Sequence, residues 1–157
     1  MNGQEKDELK AQYCRAIFDA IPMPAFIVDE DVRILDFNAA AEPLLGADPA
    51  TALFRRGGEA LHCIHAEMAG CGQAKACEDC VIRNSVRHAL LGGATSRKLH
   101  QVELRSGQGV VPISLLVTAS LLPYTETPQV LLILENFTET LARHAAPAAS
   151  ARAEGLA

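Results

Sequence analysis

The sequence predicts an α+β domain in which a five-stranded antiparallel sheet carries helices on one face, with an amphipathic helix at the N-terminus. Three observations predict it. Two short β-favouring runs flank a polar turn early in the chain, three longer strand-like runs separated by turn-rich segments come late, and helical periodicity lies before and between them. A length of 157 residues suits one domain, and 49% apolar residues suffice for a single core. With no Trp and 4% aromatic residues, that core is expected to be aliphatic.

From Glu5 to Ala20 the apolar positions Leu9, Tyr13, Ala16, Ile17 and Ala20 recur at helical spacing among charged neighbours. Ile21-Pro22-Met23-Pro24 stops this helix, because each proline removes a backbone donor and disfavours helix in the residue before it. Ala25 to Val28 and Val32 to Phe37 then read as a hairpin around Asp29-Glu30-Asp31. Asn38 is placed to cap a helix over Ala39 to Leu45, which Gly46 ends, and Ala47 to Phe54 reads as another short helix. Val81 to Leu91 is helical by period, with Val81, Ile82, Val86, Ala89 and Leu90 near one face, and Gly92-Gly93 ends it. Lys98 to Leu104, Val110 to Ser120 and Gln129 to Asn136 form an antiparallel meander, joined by Ser106-Gly107-Gln108-Gly109 and by the segment Pro123 to Pro128. The predicted organisation is therefore an entry helix over residues 1–20, a domain over 21–139 with a cysteine loop at 61–80, and an Ala-rich tail over 140–157 that frays into disorder.

Charge narrows the function classes. Fourteen Lys+Arg against 19 Asp+Glu leave a formal charge of −5, and no basic patch interleaves with aromatics, so neither nucleic acid nor an anionic membrane is an expected partner. The charged N-terminus has no apolar signal-peptide core, and no apolar run approaches the roughly 18 residues that span a bilayer. A cytoplasmic location is expected. In that reducing compartment five cysteines read as thiols or metal ligands rather than disulfides.

Cys63, Cys71, Cys77 and Cys80 follow C-x7-C-x5-C-x2-C, with Gly70 and Gly72 bracketing the second. Those glycines permit the backbone of a loop that wraps an inorganic centre. Cys77 and Cys80 lie at i and i+3, where the N-terminus of the following helix is expected to stabilise thiolates. Four thiolates suit tetrahedral zinc or an iron–sulfur cluster. Zinc sites usually present two close pairs, whereas only Cys77-Glu78-Asp79-Cys80 is one here, which favours the cluster. The surrounding Gly, Gln, Lys, Glu and Asp make poor core composition, while Cys14 on the entry helix reads as a small core residue. His62 and His65 flank Cys63 and could replace a cysteine ligand, but are read as surface polar residues.

The sequence also resembles the PAS sensor domain. Ile21-Pro22 before the first strand, Ile34-Leu35-Asp36-Phe37-Asn38 before the helix, and Leu132 to Glu139 at the end carry the resemblance, which covers most of Ile17 to Glu139. It implies a signalling module that dimerises through an N-terminal helix. PAS domains bind flavin, haem, small acids, metals or clusters, or nothing, and bacterial oxygen-sensing members with a four-cysteine [4Fe-4S] cluster differ from this chain in spacing. Haem with His88 as axial ligand is a minor alternative, and flavin lacks its cysteine motif here.

Function is accordingly expected to be redox or oxygen sensing through a cluster held by Cys63, Cys71, Cys77 and Cys80, as a homodimer acting in trans on a histidine kinase or regulator. A structural zinc in an interaction module is one alternative. Another is a small-molecule pocket between sheet and long helix, lined by Ile27, Phe37, Ile82 and Val117. No catalytic constellation is present: Gly107-Gln108-Gly109 reads as a turn, Arg55-Arg56 as a solvated pair or an anion holder near the loop, and His144 as a tail residue without a phosphotransfer role. The chain is not expected to be an enzyme.

Overall fold

The Ile21-Pro22-Met23-Pro24 break and Asn38 together set the junction between the first helix and the sheet. In the computed structural model, which describes residues 1–123 and 125–145, α1 (Gly3–Ala20) opens with a capping box between Asn2 and Glu5. Strands β1 (Ala25–Val28) and β2 (Ile34–Phe37) form the expected hairpin, with Phe26 opposite Phe37. Val32 belongs to the turn, not the strand, at φ 60°. Asn38 is 1% exposed. Its oxygen accepts from the amides of Ala25 (2.9 Å) and Ala41 (3.1 Å), and its amide donates to the carbonyls of Phe18, Ile21 and Met23. The expected cap is therefore also the tether of α1 to the sheet.

The two short helices expected before Phe54 are 3-10 turns, Ala39–Leu44 and Pro49–Ala52. Pro43 has no N–H to donate, and Gly46 and Pro49 leave too few residues to propagate an α-helix. Strands β3 (Thr95–Ser106), β4 (Gly109–Leu122) and β5 (Gln129–Asn136) complete a sheet ordered β2-β1-β5-β4-β3, all neighbours antiparallel. β3 and β4 exceed their expected lengths because the Gly107-Gln108 turn, with Gly109 at φ 102°, lets them pair out to Ser106 opposite Gly109. Helix α3 (Val81–Leu90) covers one face through Val86 and Ala89, against Leu115, Val117 and Ala119 of β4.

Three expectations are corrected. Cys14 is exposed rather than a core residue. No residue of α1 is buried, because the helix is held only near its C-terminal end by Asn38, an Arg15–Asp36 ion pair, and the Asp19 carboxylate accepting from the Ala39 amide. The pocket expected between sheet and long helix lies elsewhere: about 10 Å³ remains between Phe26, Val28, Ile34 and Leu132 under the centre of the sheet, and the open space lies between α3 and the outer strand β3. Of the four residues expected to line it, only Ile82 does. Strand alternation turns Ile27 away from the side that buries Phe26 and Val28, and Val117 is consumed by core packing. The last correction concerns the Cys80 thiol and follows with the site.

Residues 138–145 are helical, and Thr138 ties their start to the sheet by accepting from the Ser114 amide at 2.9 Å. Of the expected tail, residues 146–157 lie outside the described residues. No helix among the described residues is long and apolar enough to cross a membrane.

Candidate functional site

The cysteine segment hangs between the two outer strands of the sheet. On one side Phe54 donates to the Ile34 carbonyl (2.7 Å), Ile34 to Arg55 (2.9 Å) and Gly57 to Val32 (2.9 Å). On the other, Cys63 pairs with Leu104 of β3 and the Arg105 amide donates to His62 (2.8 Å). Between these attachments lies the one-turn helix α2 (Gly57–Ala60), followed by 3-10 turns at Ile64–Ala66 and Lys75–Asp79 that deliver the chain to α3. Sharp corners need positive φ, supplied by Phe54 (66°), His62 (60°), Gly70 (95°) and Gly72 (88°).

This path brings Cys63, Cys71, Cys77 and Cys80 to the wall of one cavity of about 300 Å³. All four are half-buried and unpaired. Leu61, Ile82, Val102 and Leu104 supply its apolar wall. A glycine makes the close approach possible at Gly58, where a Cβ would fall 2.9 Å from Cys71 Sγ and 3.5 Å from Cys63 Cβ. Among the described residues, no group of three or more His, Cys, Asp or Glu side chains is arranged to hold a metal ion. By its chemistry, four thiols at one cavity wall, the donor set fits a thiolate-ligated centre.

Burial, reinforced by repulsion from Cys80 and Cys71, pushes the Cys63 thiol up. Burial also raises Cys80, with Cys71 and Cys77 adding to it, although the amides of Arg83 and Ile82 at the start of α3 pull the other way. The expected thiolate stabilisation at that helix start is thus present but outweighed by desolvation. Both thiols thus hold their protons more firmly than a free cysteine.

Two residues that the sequence did not single out complete the site. His100 on β3 places Nε2 3.9 Å from Cys80 Sγ, and burial, with His65 adding repulsion, lowers its basicity. Its signal was the β3 alternation, in which His100, Val102 and Leu104 share the less exposed face. Arg83 is 8% exposed. It donates from Nη2 to Cys71 Sγ at 3.5 Å and lies with Nη1 3.4 Å from Asp31 Oδ1. Its signal was its place three residues after Cys80 on α3.

The other candidates separate cleanly. His65 lines the cavity, whereas His62 and the exposed Arg55 line an open cleft on the far side of Gly58 and Cys63. Arg56 holds carboxylates beside the loop, as one of the two expectations for Arg55-Arg56 had it: it donates to Asp31 at 3.0 and 2.7 Å and lies 4.0 Å from Glu59. That bond leads the causes that hold the Asp31 carboxyl below the usual range, burial opposing it, with Arg83 and Arg33 contributing. His88 is exposed and packs its ring over Gly93. Gly107-Gln108 is the β3–β4 turn, and His144 is exposed on the final helix.

Residues 13–79 match the protein family described as PAS domain. Solved structures are similar over most of the chain. The PAS domain of an HTR-like protein from Haloarcula marismortui is similar at 19% identity and a TM-score of 0.52, covering 82% of this chain and 98% of that one. A domain of the sensory box sensor histidine kinase/response regulator from Geobacter sulfurreducens is similar at 21% identity and 0.51, covering 85% and 100%. The PAS domain of nitrogen regulation protein NR(II) from Vibrio parahaemolyticus is similar at 17% identity and 0.53, covering 78% and 96%. The chain therefore has a PAS-like fold, and its residues 13–79 are similar to the PAS domain family. No curated protein matches the sequence.

Proposed function

We propose that this chain is a signal-sensing PAS module whose sensor is an iron–sulfur cluster, [4Fe-4S] in type, held by Cys63, Cys71, Cys77 and Cys80. The observation that carries the reading is the arrival of all four thiols at one 300 Å³ cavity. The presence of only one close pair, Cys77 and Cys80, favours a cluster over one zinc ion. Such a cluster supplies a one-electron couple and lability to oxygen.

The chain's own residues do the rest. Leu61, Ile82, Val102 and Leu104 limit water, and Gly58 and Gly72 leave room for the thiols and for Arg83. Because the loop is bonded to β3 at Cys63 and to β2 at Phe54 and Arg55, a change of loop shape pulls on both outer strands. β3 is paired to β4, and β4 is tied through Ser114 to Thr138 at the start of the final helix. That helix is the proposed output.

The partner proposed is a histidine kinase or regulator in trans, on the likeness to sensory domains of that kind. Self-association is proposed through α1, whose Leu9, Tyr13 and Ile17 form an exposed stripe. The role is sensory rather than catalytic. A structural zinc in an interaction module is the second reading, favoured by the Cys77-x2-Cys80 pair alone.

Anaerobic purification with an absorption spectrum and analysis for iron, acid-labile sulfide and zinc tests the proposal, against a Cys77→Ser, Cys80→Ser variant. Iron and sulfide in near-equal amounts, lost in the variant and bleached by air, are expected. A colourless protein with one zinc would replace the first reading with the second.

A further inference from the structure

Arg83 is the one charged side chain among the described residues that is buried. Burying a guanidinium is costly unless its charge is matched nearby. Its carboxylate neighbour does not match it alone. Asp31 gives its close bonds to Arg56, at 2.7 and 3.0 Å, and also pairs with Arg33 at 3.1 Å, whereas Arg83 lies 3.4 Å away. Three guanidinium groups thus share one carboxylate, and Arg83 holds the weakest claim on it. Its remaining contact is Cys71 Sγ.

The loop is shaped around this guanidinium. At Gly72, a Cβ would fall 2.5 Å from Arg83 Nη2 and 2.6 Å from Cζ, so the position next to Cys71 accepts no side chain while Arg83 is in place. Gly72 also sits at φ 88°, which a substituted residue resists. Arg83, Gly72 and Cys71 therefore interlock, with the charge facing the cavity wall.

We propose that Arg83, aimed by Asp31, is the counter-ion of the cysteine cavity: a positioning residue that holds Cys71 and offsets the negative charge of a thiolate-ligated metal centre. The inference rests on the cysteine reading above. A charge-assisted bond to sulfur both fixes the ligand's direction and stabilises its deprotonated form. Lysine could keep the charge but not the two-pronged contact with Cys71 and Asp31.

The test uses the full chain, reloaded anaerobically with ferrous iron and sulfide or, separately, with Zn²⁺ alone. Chelator-driven release is followed for the wild type and for Arg83→Gln, Arg83→Lys and Asp31→Asn, with the midpoint potential measured on any iron-loaded form. Loss of an outer-sphere partner of this kind weakens retention by about 10–100-fold. Arg83→Gln is expected to do so and to move the potential negative, because a nearby cation favours the more reduced state. Arg83→Lys is expected to recover part of both, and Asp31→Asn to fall between.

Release and potential unchanged in Arg83→Gln would overturn the counter-ion role and leave the cysteine site standing. Equal impairment by Gln and Lys would also overturn it, since a purely steric role does not distinguish charge. If circular dichroism shows Arg83→Gln unfolded, Arg83→Lys and Asp31→Asn decide, and wild-type retention in both overturns the proposal. A wild type that holds neither load defeats the cysteine reading and this inference with it.

Discussion

Two hollows share a wall at Leu61 and Ile82, and they have opposite fates. The one under the centre of the sheet is walled by Phe26, Val28, Ile34, Leu132 and Leu134 and has shrunk to about 10 Å³. The one toward the outer strand β3 keeps about 300 Å³ and is ringed by thiols, imidazoles and a guanidinium. Branched aliphatic side chains on regular elements interdigitate until no space remains. Short 3-10 turns with glycines at Gly58, Gly70 and Gly72 bring no long side chains to fill theirs. The apolar packing therefore concentrates in one hollow and the titratable side chains in the other.

The largest separable effect is expected from the closed hollow. Phe26→Ala should cost about 3–5 kcal/mol of unfolding free energy in urea titrations. At temperatures where it stays folded it should bind metal as the wild type does, and metal loss in folded protein would break the division between the two hollows. Asn38→Ala removes the acceptor for Ala25 and Ala41 and leaves carbonyls of Phe18, Ile21 and Met23 without their donor. About 1–3 kcal/mol should be lost. Hydrogen exchange should rise first at residues 18–25, before the cysteine loop.

Gly72→Ala sharpens the other side of the comparison. The strain of a positive φ is worth about 1–2 kcal/mol, and the added Cβ must also displace Arg83. A small fall in melting temperature is expected beside a disproportionate loss of metal retention. Equal, small changes in both would show the cavity to be as tolerant as a surface loop.

The smallest effect is on acid stability. Asp31 has a folded pKa below its unfolded value, so its contribution is full above about pH 4 and fades as pH falls through the lowered value. Asp31→Asn should flatten the acid limb of the stability curve over that window, and an unchanged limb would remove Asp31 from the ledger.

Much of this was legible in the sequence because the signals are local. Proline breaks, the Asn38 cap and the turn chemistry around Gly107 act within a few residues, and periodicity separates helix from strand. Their shortcomings were equally local in origin. Pro43 and Pro49 reduced two expected helices to 3-10 turns. The helical stripe on α1 told of an apolar face without telling what would cover it, and Cys14 turned out exposed for that reason.

The sequence by itself determined the fold class, the sheet's hairpin and meander, and the four cysteines with the glycines that let them turn. Only the tertiary structure decided that all four thiols share a cavity, that His100 stands behind Cys80, and that Asp31 in the first turn meets Arg83 on α3. Those partners lie 20 and 52 residues apart. Such contacts arise where the loop is stitched to both outer strands, and no periodicity within one segment encodes which side chains from separate elements arrive at the same place.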